Sequence, residues 1–486
     1  MATETGKRTP EEEERDWARD MPDDLVAHIV GRLTSLVDFL NCRNACLPWE
    51  RALRGEARRL PATKERVPWL LLAVEAEQSY LRRLTPLPPP ACWAGAGGEV
   101  AAVQLPGRHV RRGRREICLG SSRGWLVTAN DFGYARVINP LTGATAPLPP
   151  LWTLPYLDAV HSYDACVQSF LYQDEHHRGA RGVPFSFDGL CDLVLLKAVV
   201  VDIGGGGATV AILYRKQREF AIARTGQRSW TLVQNHLDTI VEMKRHDDGD
   251  LYTVHLSGNV ARWRIDCVVT KSPLILEFTR VIDSSYHYAV KDNGMMSRVE
   301  HDQHNTDRAG ECSYLAGAPT GELYLLKRVY KHKLVGGQTQ RSTAAFNAWF
   351  LRPGRGGGME WVRSRRDGAL GDLAAFVSYT GSMCVHAWDD TDDSKNKKEV
   401  LKSNSVYFTE ESVDYLGAAM VDHFAVRRTD VVEVRTTAAA ATANHEMDGA
   451  RKEEEEMEKK SIRVKQLGRC MNWPPPFWFV PSLEGL

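Results

Sequence analysis

The chain has 486 residues, 43% hydrophobic and 26% charged, with Lys+Arg 62 against Asp+Glu 62. That is enough material for one large architecture and a smaller one, and the formal net charge of zero argues against a chain-wide electrostatic grip on nucleic acid or an anionic membrane. No stretch reaches the ~18 consecutive apolar residues of a spanning helix, and the acidic start MATETGKRTPEEEERDW lacks the apolar centre of a signal peptide. The expected location is cytoplasmic or nuclear, and the 10 Cys residues, with no CxxC pair among them, read as buried thiols in a reducing compartment.

Residues 1–15 are expected to be disordered. Residues 16–60 read as a helical module, in which Leu25, Ile29, Leu33, Leu36, Phe39 and Leu40 recur at three- and four-residue steps. Pro22 suits a first helical position, and Asp23 and Asp24 complement the helix dipole. A module of roughly 45 residues is too small to bury all of these side chains by itself. The surplus apolar surface predicts a partner, or docking on the rest of the chain.

Residues 61–99 read as a helical and then Pro- and Gly-rich connector, and residues 100–486 as strands. Short apolar runs recur there between turn signals at about 8–12 residues, the rhythm of an all-β fold. Hairpins are expected where Leu251–Leu256 and Val260–Asp266 flank Ser257-Gly258-Asn259, where Val377–Thr380 and Met383–Trp388 flank Gly381-Ser382, and where Phe424–Arg427 and Val431–Arg435 flank Arg428-Thr429-Asp430. Asn139-Pro140-Leu141-Thr142-Gly143 has the chemistry of a turn. So many hairpins exceed one sandwich, whereas a propeller at roughly 40–45 residues per blade takes them up in six to eight blades. The fold class expected is therefore mainly β, a C-terminal β-propeller preceded by a small α-helical module. Residues 438–460, an alanine run followed by Glu and Lys blocks, read as a solvated insertion.

Met21-Pro22-Asp23-Asp24-Leu25 with Ile29, Arg32 and Leu33, followed by Asp38-Phe39-Leu40, Arg43-Asn44-Ala45-Cys46 and Trp49, resembles the F-box. Pro48, ahead of Trp49, departs from the family pattern and is expected to delay or kink the third helix. Gly120-Ser-Ser-Arg-Gly-Trp-Leu-Val127, Ile138-Asn-Pro-Leu-Thr-Gly143, Gly321-Glu-Leu-Tyr-Leu-Leu326 and the terminal Pro474-Pro-Pro-x-Trp478 are similar to the plant family that follows an F-box with the domain of unknown function 295, a kelch-like propeller. The resemblance implies a substrate receptor of a Skp–cullin–F-box ubiquitin ligase, bound to a Skp-type adaptor and through it to a cullin, with the propeller holding a target protein. Pro22, Leu25, Ile29, Leu33, Leu36, Phe39 and Trp49 are then the expected adaptor-binding residues.

Signals for catalysis are sparse. Asp202-Ile-Gly-Gly-Gly-Gly207 is followed by a strand-like run rather than a phosphate-cradling helix, and reads as a hairpin loop. Glu175-His176-His177 and His301-Asp302-Gln303-His304 lack the spacing of a helical metal site and read as surface loops. The basic cluster Arg108–Arg115 reads as a solvated edge, and Trp263, Trp349, Trp361 and Trp388 as core. No catalytic, cofactor or metal residue is assigned. The competing reading is a ligand-binding or enzymatic propeller whose central channel takes a sugar or small molecule, with the helices as a cap. Either propeller must close its ring, and Phe477–Val480 is expected to return to the early blade containing Gly124-Trp125 and Asn139–Gly143, burying Trp478.

Overall fold

In the computed structural model the chain divides into two compact units, Met1–Arg66 and Val67–Leu486. The structure describes residues 21–30, 32, 42, 45–53, 68–72, 83–85, 103–104, 116–140, 142–161, 167–173, 183–187, 189–190, 195–214, 219–234, 237, 239–255, 258–266, 274–282, 309–335, 338–354, 359–363, 370–378, 380–387, 403–409, 429–435, 463–470 and 477–480.

In the first unit, α1 (Asp23–Val30) begins at the expected proline, whose carbonyl accepts from the N–H groups of Leu25 and Val26 at 3.0 and 3.1 Å. Asp23 and Asp24 fill its first turn and His28 its last, the arrangement a helix dipole favours. α2 (Leu47–Leu53) carries Pro48 in its own first turn. There the missing N–H has no intrahelical acceptor to lose, so the proline is accommodated without the expected late start or kink.

The second unit is a propeller. β1 (Trp69–Leu72), β2 (Arg83–Thr85) and β3 (Val103–Gln104) open it, so strands lie within the stretch that the sequence reads as a connector. The second blade is β4 (Glu116–Ser122), β5 (Trp125–Asn130), β6 (Ala135–Ile138) and β7 (Thr145–Pro147), and the third is β8 (Leu157–His161), β9 (Val167–Tyr172) and β10 (Val183–Phe185). The fourth is β11 (Leu195–Gly204), β12 (Gly207–Tyr214), β13 (Glu219–Arg224) and β14 (Thr231–Gln234). The fifth is β15 (Ile240–Arg245), β16 (Leu251–His255), β17 (Val260–Asp266) and β18 (Leu274–Ile282). β19 (Ala309–Gly317), β20 (Leu323–Val335), β21 (Gln338–Pro353) and β22 (Met359–Arg363) make the sixth. β23 (Leu373–Ser378), β24 (Gly381–His386), β25 (Ser405–Thr409), β26 (Thr429–Arg435) and β27 (Arg463–Cys470) make the seventh. The last two blades are fused into a 9-stranded sheet by a parallel pairing, Ala316 opposite Ser382 and Gly317 opposite Met383. Among the described residues the strands thus form seven blades, inside the expected range.

The ring closes through β28 (Phe477–Phe479), which pairs antiparallel with β1, Trp69 opposite Phe479 and Leu71 opposite Phe477. The tail returns to the early chain as expected: it lies against β4 of the blade of Trp125, while its ladder partner is β1. The physical reason is edge availability: consecutive hairpins give β4–β7 four strands, whereas β1–β3 supply three and leave an edge of β1 to be paired. The side chain of Trp478 lies outside the described residues.

Both faces of the inner strands are apolar because each blade is packed between two others. In β11, Ala198 and Val200 join a core with Trp125, Phe170 and Tyr214, while Val199 and Val201 join Phe220, Met243 and Trp263 on the other side. Strand alternation sends neighbours to opposite faces, so burial on both sides demands an unbroken apolar run, and β12 (GATVAILY) is buried at every position. Trp263 is core, as expected, and Trp349 and Trp361 pack partly buried against the core of the fifth and sixth blades. Gly205 and Gly206, at φ 58 and 77°, form the tight turn between β11 and β12 that the sequence indicates. Asn139 closes its turn with its side-chain oxygen accepting from the Thr142 N–H at 3.2 Å.

Two hairpins differ from expectation. Gly381 and Ser382 belong to β24 rather than to the turn, which includes Thr380. Thr429 and Asp430 are likewise in β26, opposite Cys470 and Arg469. Residues 1–15, 438–460 and the remaining residues of the three quoted turns and runs lie outside the described residues in whole or part.

Candidate functional site

Two arrangements bear on function, one in each unit. Val26 and Val30 of α1 are 1% and 2% exposed, whereas Leu25 and Ile29, shifted by one residue around the helix, are 50% and 42% exposed. Residues four apart stack on one helix face, so α1 carries one apolar pair inward and a second apolar pair outward. Pro22 is exposed, and Trp49 on α2 is half-buried with no partner for its indole N–H among the described residues. Leu47, at the start of α2, is 65% exposed. It is a further exposed apolar residue of this unit and was missed in the sequence, although its place next to Pro48-Trp49 was a usable signal. Leu33, Leu36 and Phe39 lie outside the described residues.

In the propeller, the inner strands lie against one another in a ring, β4 on β11, β11 on β15, β15 on β19, β19 on β24, and β24 on both β28 and β4. The Ser121 N–H of β4 donates to the Thr380 carbonyl at 3.4 Å, and their hydroxyl oxygens lie 3.3 Å apart. A Cβ on Gly381 would lie 3.2 Å from the Ser121 carbonyl oxygen, which explains why glycine sits in this strand. On another side, the Lys244 amine of β15 donates to the Ser382 carbonyl at 2.6 Å. Thr380 and Ser382 are 0% and 1% exposed. β4 and β11 also touch backbone to backbone, since a Cβ on Gly120 would lie 1.8 Å from the Ala198 oxygen.

The axial polar groups serve this packing. Lys197 and Glu242 form a buried ion pair between the fourth and fifth blades. Withdrawal from water, reinforced by the neighbouring Lys197 charge, pulls the Lys244 amine down to about 8. Burial pushes the Cys384 thiol up to about 12, against the opposing pull of Lys244. A thiol held protonated is a poor nucleophile. Among the described residues no group of three or more His, Cys, Asp or Glu side chains is placed to hold a metal ion, and no helix is long and apolar enough to cross a membrane. Residues 108–115, 175–177 and 301–304 lie outside the described residues.

A family model described as the KIB1-4 beta-propeller matches residues 91–434. The chain belongs to the KIB1-4 beta-propeller family. The match takes in the second to sixth blades whole and leaves α1, α2, β1, β2, β27 and the closing strand β28 outside it. No curated protein matches the chain. Among solved structures, it is similar to the N-terminal domain of Nup159, at 8% identity and a TM-score of 0.23, over 66% of this chain and 76% of that one. It is also similar to YCF48 bound to D1 peptide, at 12% identity and a TM-score of 0.23, over 62% and 89% of the two chains.

Proposed function

We propose that this KIB1-4 propeller protein is a non-catalytic substrate receptor of a Skp–cullin–F-box ubiquitin ligase, working in the cytoplasm or nucleus. The helical unit would bind a Skp-type adaptor and through it a cullin, and the propeller would hold a target protein. The contribution to catalysis is proximity: tethering target and ligase makes ubiquitin transfer effectively intramolecular. The observation that carries this reading is the outward pair Leu25 and Ile29 on a helix that already buries Val26 and Val30. Two large apolar side chains at helical spacing form a contact surface for a partner, and Leu47, Pro22 and Trp49 of the same unit are further candidates for it.

Capture of a purified Skp-type adaptor by the intact chain tests the proposal. Binding that disappears in Leu25→Asp, Ile29→Asp supports it, and an intact chain that captures no adaptor overturns it.

A further inference from the structure

Gly317, the last residue of β19, lies where that strand pairs with β24, opposite Met383. Two side chains of the fifth blade reach it. A Cβ on Gly317 would stand 3.4 Å from the Lys244 Cε and 3.8 Å from the His246 Nδ1. Residues two apart share a strand face, so Lys244 and His246 lie side by side against the glycine. Both distances are ordinary van der Waals spacing, and the glycine therefore leaves room between the two side chains rather than relieving a clash.

The polar groups at this place are unsatisfied. The Lys244 amine has three N–H donors, and the Ser382 carbonyl, at 2.6 Å, is its one acceptor among the described residues. The Ser382 hydroxyl has no hydrogen-bond partner, although the residue is 1% exposed and pairs opposite Ala316, next to the glycine. The His246 Nδ1 is likewise withdrawn from water and unpartnered. Buried polar atoms are normally satisfied by protein, by water or by a bound ion, so unmet groups from two strands converging at one glycine mark a site.

The imidazole is fixed in advance. The His246 N–H donates to the Asp250 carbonyl at 3.0 Å, and the His246 carbonyl accepts from the Gly249 N–H at 3.1 Å and from the Arg245 Nη1 at 3.0 Å. The Tyr252 ring stands edge to face against it, with centroids 5.6 Å apart and planes at 85°, and its hydroxyl donates to the Asp248 Oδ2 at 2.8 Å.

Charge selects the occupant. The charged groups acting on Lys244 are Lys197, Glu242 and Asp247, and the Cys384 thiol near them is held protonated. Glu242 is already engaged in the ion pair with Lys197, while Asp247 is exposed and the weakest influence of the three. The amine is thus a cation withdrawn from water with no carboxylate of its own. An oxyanion accepts hydrogen bonds from amine, hydroxyl and imidazole together and balances the charge, whereas a water molecule balances none of it.

We propose that Lys244, His246 and Ser382 form a binding site for a small oxyanion, the carboxylate or phosphate group of a small molecule, seated against Gly317. The site belongs to the propeller alone and stands whether or not α1 binds an adaptor.

Thermal melting of the intact chain, titrated with inorganic phosphate or with acetate at an ionic strength held constant by sodium chloride, tests the assignment. The expected result is a saturable rise in melting temperature with at least one of the two anions, the comparison showing which group fits. Half-saturation should move about tenfold upward in Lys244→Met, which loses a charge-assisted hydrogen bond. Ser382→Ala removes a donor without adding bulk, and Gly317→Ala fills the room with a methyl group at a tolerated spacing. Both should fold and bind more weakly, and they decide the matter if Lys244→Met does not fold. No saturable rise in the wild type with either anion would overturn the proposal. So would a rise of the same size in Ser382→Ala and Gly317→Ala, which is the general effect of an excluded salt.

Discussion

In the propeller, β12 buries all 8 of its residues and β23 all 6, while α1, also 8 residues long, buries Val26 and Val30 and turns Leu25 and Ile29 outward. The difference separates apolar side chains that the fold consumes from those it leaves over. An inner blade strand such as β12 or β23 has a neighbour on each face, so its apolar residues find places in this chain's own core. A two-helix contact has only one interior. Apolar residues beyond its capacity remain as surface, and that remainder points to a partner.

The comparison breaks most severely at Gly120, where the propeller has no tolerance at all. Gly120→Val should abolish folding of the propeller, since a Cβ 1.8 Å from the Ala198 oxygen forces β4 and β11 apart. Loss of the cooperative thermal transition and of soluble yield is the expected outcome. Next in size is ring closure. Removing residues 472–486 deletes β28 and uncovers the edge of β1 and should lower the melting temperature on the order of 5 °C, with adaptor capture unchanged. An unchanged melting temperature would mean that the ring does not depend on β28.

A smaller effect sharpens the account of the axis. Lys244 has an ordinary value of 10.5 and is lowered to about 8 in the fold. Between those pH values the folded amine has lost its proton while the unfolded one keeps it, so the unfolded state binds more protons and this group adds stability as pH rises. Buried Cys118, Cys384 and Tyr252 and half-buried Tyr324, all shifted upward chiefly by withdrawal from water, act in the opposite direction over the alkaline range. Wild type should therefore lose stability less steeply than Lys244→Met between pH 8 and 10.5, measured by urea unfolding. Parallel profiles would show that the amine is solvated in the folded chain.

Much of the propeller was legible in the sequence because its determinants are local. The glycine turn at 205–206 and the Asn139 turn specify themselves over four or five residues, and the continuous apolar run of β12 follows from burial on both faces. What was not legible depended on distant partners. Gly381 looked like a turn residue, yet it serves a close approach to Ser121, 260 positions away in the chain. The strand character of Trp69–Leu72 was hidden in a stretch judged by its prolines, because its ladder partner is the last strand of the protein. At the helical unit, the spacing of Leu25 and Ile29 announced an apolar stripe, but only the structure separates the outward pair from Val26 and Val30. The ring contacts of Trp152 with Tyr134 and His161 left no periodic trace, since the three rings come from separate segments.

The central claim is that Leu25 and Ile29 belong to a partner rather than to the fold. Replacing both with Asp at positions 50% and 42% exposed should change folding stability by no more than about 0.5 kcal/mol. The decisive measurement is binding of a purified Skp-type adaptor to the wild type and to this double variant, with melting curves of both recorded alongside. The account predicts capture by the wild type, loss of capture by the double variant and superimposable melting curves. Undiminished capture by a folded double variant, or no capture by the wild type, would contradict it.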